Sequence, residues 1–140
     1  MHRVKLLRYV TACLMIIGSV ASYARSLLPI VDFDRLFDTP EKFDGKLVRV
    51  RGFISVPTHP HDTWVILLYP SKKQALENPG QHCILIGLEN SRIGGYKAIK
   101  SGWVEITARV VRLPFEGGKY TPALTEIQKL DELSEDPGNH

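Results

Sequence analysis

Two stretches alternate apolar and polar residues so regularly that they commit the chain to β structure. In residues 47–56, Val48, Val50, Ile54 and Val56 share one side, while Arg49, Arg51 and Ser55 share the other. That two-residue period belongs to a half-buried strand. Residues 103–113 repeat the pattern, with Val104, Ile106, Ala108 and Val110 inward and Glu105, Thr107 and Arg109 outward. Between these stretches, residues 64–69 and 82–88 read as two shorter, almost wholly apolar strands. A fifth strand, residues 120–130, follows the hairpin turn Glu116-Gly117-Gly118-Lys119 and offers Leu124, Ile127 and Leu130 to the core. Gly52 interrupts the apolar side of the first strand, which suits a bend or bulge where a barrel strand curves.

The segments between the strands carry helix and turn signals. Residues 25–45 read as a lead-in outside the core, with Val31, Phe33, Leu36, Phe37 and Phe43 as apolar contacts. Within it, Thr39 is placed to cap a helical turn that has Pro40 at its first position, and Asp44-Gly45 ends that turn. Residues 71–78 predict a short helical insertion, and residues 96–100 a helical turn inside the irregular stretch 89–102. Three strands, an irregular segment with a short helix and two more strands form the element order of the five-stranded OB-fold, a Greek-key barrel. The fold expected is therefore all-β: an OB-fold barrel over residues 25–133 with short helical segments, then a polar, flexible tail at 134–140. An open five-stranded sheet or small sandwich has the same order; the long first strand with its central Gly52 favours closure.

The N-terminus predicts export. Arg3, Lys5 and Arg8 precede an apolar run, residues 10–20, and Ala21-Ser22-Tyr23-Ala24 ends it with small residues where a signal peptidase reads. A basic start, a short apolar centre and a small-x-small end form a cleavable signal peptide, here residues 1–24, with the mature chain starting at Arg25. A spanning helix needs about 20 apolar residues, and Gly18, Ser19 and Ser22 interrupt this run before Arg25 stops it. Cys13 falls inside the apolar run, whereas a lipidated cysteine follows one.

Cleavage changes the charge. The chain has 18 Lys and Arg against 15 Asp and Glu; three of the bases leave with the signal, and the mature chain is neutral. A neutral domain has little long-range attraction for polyanions, which argues against nucleic acid as partner. Cys83 is then the only cysteine left, so no internal disulfide is possible. Its apolar run, Cys83-Ile84-Leu85-Ile86, reads it as a small buried hydrophobe.

The stretch Pro40-Glu41-Lys42-Phe43-Asp44-Gly45-Lys46-Leu47-Val48-Arg49-Val50-Arg51-Gly52 is similar to the opening of small exported bacterial OB-fold domains, which run from Pro and an aromatic through a polar-Gly-Lys turn into a Val-x-Val-x-Gly strand. Gly102-Trp103-Val104-Glu105-Ile106-Thr107-Ala108-Arg109-Val110 resembles their second turn and strand. The resemblance implies a non-enzymatic periplasmic binding or interaction module and assigns no ligand residue.

Three groups of residues are candidates for a binding surface. His59 and His61, with Asp62 beside them and His82 elsewhere, have the side chains of a transition-metal site, but flanking Pro60 in an extended loop they point to opposite sides. Trp64 and Tyr69, in an aromatic set with Trp103, Tyr96 and Tyr120, fall near the face where OB-folds take ligands, across their second and third strands. Arg49, Arg51 and Arg109 share an outer face, where Glu105 can offset them across the strands. No nucleophile elbow, phosphate-binding loop, Cys-x-x-Cys or His-Glu-x-x-His occurs, and Asp32, Asp34 and Asp38 fall in the lead-in. The chain therefore reads as a periplasmic or secreted binding module with no enzymatic activity and no cofactor. Its partner is expected to be an envelope protein or a small ligand, with membrane contact only through the signal peptide. Metal or small-ligand binding by the loop of His59 and His61 is the alternative.

Overall fold

The structure is a computed structural model, and it describes residues 28–56, 66–94 and 99–137. The chain enters through a two-residue strand β1 (Ile30–Val31), a short helix α1 (Phe33–Asp38) and a 3-10 turn at Pro40–Lys42. Strands β2 (Leu47–Ser55) and β3 (Ile66–Tyr69) follow, then helix α2 (Lys72–Glu77), β4 (Ile84–Ile86), β5 (Gly102–Pro114) and β6 (Tyr120–Glu132). Hydrogen-bonded neighbours run β1-β2-β3-β4-β6-β5, and β5 returns to pair with β2. Strands β2, β3, β4, β6 and β5 thus form a closed five-stranded barrel, in which only β4 and β6 pair in parallel. Closure satisfies the backbone groups that an open sheet would leave along its edges.

The alternating strands behave as their pattern requires. Val48, Val50 and Ile54 of β2 and Val104, Ile106, Ala108 and Val110 of β5 all point into the barrel and are buried. Ile66, Leu68, Ile84, Ile86, Leu124 and Ile127 complete the interior. Leu124 and Ile127 are three apart, an odd spacing for two residues on one side of a strand. A β-bulge accounts for it: Thr107 faces Lys129 and Arg109 faces Thr125, so β6 spends extra residues opposite Ala108. Glu126 takes up the extra turn at φ 48°, in the left-handed region.

Three expectations need correction. Gly52 is not a bulge: the β2–β5 ladder passes through Gly52↔Val104 without a register shift. Its role is close approach, since a Cβ there would come within 2.7 Å of the Tyr69 carbonyl oxygen and 2.8 Å of Leu68. Nor is the lead-in peripheral. β1 pairs in parallel with Arg49 and Val50, along the part of β2 that β3 leaves open. Asp32 caps α1 by accepting from the Arg35 N–H, and Phe33 and Leu36 from that helix lie in the barrel core. Pro40 does open the 3-10 turn, but the Thr39 side chain does not cap it; its hydroxyl donates instead to the Arg35 carbonyl. The expected helical turn at 96–100 falls partly outside the described residues, while Ile99 is buried against the core.

Candidate functional site

The outer surface carries two distinct constellations. Between β2 and β5, Arg51 lies directly opposite Glu105 and Arg49 opposite Thr107. Glu105 accepts from Arg49 Nη2 (2.5 Å) and Nε (3.1 Å) on one carboxylate oxygen and from Arg51 Nε (2.8 Å) on the other. Arg49 also donates to the Leu28 carbonyl at 2.8 Å. Only 9% exposed, Glu105 lies on the outer side of β5 beneath the two arginines. Burial pushes its carboxyl up, but the hydrogen bonds and charges of Arg49 and Arg51 together outweigh this and hold it below the ordinary carboxylate range. Arg109 does not join them: it donates to Glu126 (2.5 Å) and to the Gly45 carbonyl (2.7 Å). The three arginines are therefore each committed to a carboxylate, and they do not converge on a common anion site. The chain leaves β6 with the Leu133 N–H bonded to the Trp103 carbonyl at 2.8 Å, and Asp136 and Pro137 rest half-buried against this side.

The second constellation is a groove of about 880 Å³ over the outer side of β3 and β4. Its floor is Leu67 and Leu85, cross-strand partners that point away from the core. The β5–β6 hairpin forms one wall through Leu113, Phe115, Lys119, Tyr120 and Pro122; α1 and the 3-10 turn form the other through Phe37, Asp38, Pro40 and Glu41. Phe115 is 64% exposed and Tyr120 52%. Local chemistry holds the hairpin wall in place. Gly117 and Gly118, both at positive φ, make the tight turn, which the Phe115 N–H closes on the Lys119 carbonyl at 2.8 Å. The Arg112 guanidinium lies 4.6 Å from the centre of the Tyr120 ring and is itself anchored to Asp44 at 3.1 Å.

Beside the groove, the loop after α2 folds over β3. Tyr69, a surface candidate from its sequence position, is instead 2% exposed. It does point outward from the barrel, but its hydroxyl accepts from the Gly80 N–H at 2.8 Å and hydrogen-bonds Cys83, so the insertion covers it. Burial raises the Cys83 thiol above its ordinary range, and that hydrogen bond only partly offsets the effect. His82 stands beside it at φ 47°, bonded to Asp34 at 2.8 Å and packed 4.4 Å from the Phe37 ring.

Among the sequence candidates, His59, His61 and Trp64 lie outside the described residues. No group of three or more His, Cys, Asp or Glu side chains among the described residues could hold a metal ion. The groove residues Leu67, Leu85, Phe115 and Glu41 were not singled out by sequence, and Asp38 was placed only in the lead-in. The signal for Leu67 and Leu85 was the apolar character of β3 and β4 on both sides, which requires a cover on the outside as well as the inside. Compared with known proteins, the sequence matches no family model and none of the curated proteins.

Proposed function

We propose that this chain is an exported, non-catalytic OB-fold interaction module that engages an envelope protein through the groove over β3 and β4. The observation that carries the reading is the groove itself: an apolar floor of Leu67 and Leu85 with exposed aromatic walls at Phe115 and Tyr120. A contiguous exposed apolar surface with a polar rim is characteristic of an interaction site. The barrel order β2-β3-β4-β6-β5, closed by β2 and with β4 parallel to β6, matches an OB-fold numbered 1-2-3-5-4, and it supports that assignment. The groove then falls on the second and third barrel strands beside the loop joining the last two, where OB-folds take ligands. Export rests on the basic, apolar and small-residue segments of residues 1–24. No cofactor enters this reading.

Photo-crosslinking in cells tests it. A benzophenone amino acid replacing Leu67 or Phe115 is expected to trap a discrete envelope protein, and the same probe at Arg51 is not. Crosslinks at Arg51 with none at the groove would overturn the assignment of the surface. Intact-mass measurement of the recovered protein checks export: a chain beginning at Arg25 is expected, and a full-length or lipid-bearing mass would refute it.

A further inference from the structure

We infer that the groove binds an extended polypeptide segment that carries a basic residue; the inference rests on the interaction-module reading above. The first ground is backbone geometry. Antiparallel pairs alternate between those that exchange hydrogen bonds and those whose N–H and C=O groups point away from one another. Phe115 and Lys119 are bonded, and the ladder continues through Pro114↔Tyr120, Leu113↔Thr121 and Arg112↔Pro122. Tyr120 and Pro122 therefore turn their backbone groups away from β5. Contacts on the far side of β5 obey the same phase. The Arg112 N–H points outward to Asp44 at 3.3 Å, and Val110 exchanges hydrogen bonds with Gly45 and Lys46.

On the groove side, β4 covers β6 only from Leu85↔Ala123 onward, and the Leu124 carbonyl accepts from the Gly87 N–H. Upstream of that pairing β4 starts only at Ile84, and His82 is left-handed at φ 47°, so the ladder does not reach Tyr120. The N–H and C=O of Tyr120 thus open into the groove without a partner among the described residues. A donor and an acceptor on one strand edge, beside apolar walls, fit the backbone of an added extended chain.

The second ground is charge. Asp38 and Glu41 line the wall opposite the hairpin, both exposed, and neither forms an ion pair among the described residues. This contrasts with Glu105, Glu126 and Asp44, each of which meets an arginine. Lys119 on the hairpin wall offsets one of these carboxylates. The remaining acidic balance beside an apolar floor complements a lysine or arginine at the end of an apolar segment more than an acidic residue.

Selection of phage-displayed random dodecapeptides on the purified protein, followed by fluorescence anisotropy of synthetic winners, tests the inference. Winners are expected to carry apolar residues two apart and a Lys or Arg toward one end. Their affinity should fall about fivefold to tenfold on the double substitution Asp38→Asn and Glu41→Gln, the loss of two rim ion pairs. N-methylation scanned along a winning peptide should abolish binding at the residue that donates to Tyr120 and leave exposed positions unchanged. No enrichment, enrichment of acidic peptides, indifference to the double substitution or a flat N-methyl scan would each overturn the inference. So would concentration-dependent dimerisation lost on Tyr120→Ala, which would make a second copy the occupant. Groove crosslinks to an envelope protein in cells would survive the charge and N-methyl failures, so this inference can fail while the interaction-module reading stands.

Discussion

The arginine face over β2 and β5 and the groove over β3 and β4 lie on one barrel, yet they are finished in opposite ways. On the first, Glu105 is nearly buried and both its oxygens are bonded, and each arginine has a carboxylate. On the second, Leu67 and Leu85 face outward, Phe115 and Tyr120 are exposed, and Asp38 and Glu41 form no ion pair among the described residues. Charged residues draw attention in a sequence, but a charge that is already paired has little left to offer a partner. The face with unmet requirements is the apolar one.

That contrast can be broken by mutation, and the largest effect should come from beneath the groove's acidic wall. Leu36 is fully buried and anchors α1 to the barrel. Leu36→Ala should cost about 2–5 kcal/mol in urea unfolding; a cost under about 0.5 kcal/mol would restore the lead-in to a peripheral role.

Next in size is the arginine face. Glu105→Gln removes the charge that two guanidiniums share, and should cost about 1–3 kcal/mol, well short of a deeply buried pair because Arg51 is 41% exposed at its side chain. The pH dependence has a definite sign. Because the folded-state pKa is depressed, the contribution of Glu105 is fully present above the ordinary carboxylate value of about 4.3 and is lost as pH falls through the lower folded value. Denaturation curves from pH 7 to 3 should therefore show a shallower acid loss in Glu105→Gln than in the wild type; parallel curves would mean that the shared carboxylate does not stabilise the fold.

Smaller still, Arg112→Ala frees the Tyr120 ring and the Asp44 carboxylate and should lower stability by about 0.5–1 kcal/mol. In the same variant, a groove ligand should dissociate faster, because the wall is no longer held before binding. At the bottom of the scale, Tyr120→Ala should change stability by no more than about 0.5 kcal/mol while removing groove binding. A calorimetric loss comparable to that of Leu36→Ala would show Tyr120 to be structural and would erase the distinction between the two faces.

Much of the barrel was legible because its signals are local. The alternation in β2 and β5, the turn at Glu116–Gly118 and the short helix Lys72–Glu77 all depend on residues close in sequence. The pairing of Glu105 with Arg49 and Arg51 was also within reach, since the expected barrel places the first and fourth of its strands side by side. What could not be read was which outward-pointing residue stays exposed. Tyr69 and Leu67 lie two apart on the same side of β3, yet the loop after α2 covers the first and leaves the second on the groove floor.

The amino-acid sequence by itself determined the phases of β2 and β5, the β5–β6 turn and the order of the five barrel strands, because hydrophobic period and backbone preference act over a few residues. Only the tertiary structure decided that α1 belongs to the core, that Gly52 is needed for close approach, and that the open surface is an apolar groove rather than an arginine patch. Each of those outcomes depends on segments far apart in the chain meeting at contact distance. Burial and charge pairing are properties of that meeting, and a residue's type does not specify which neighbour it will meet.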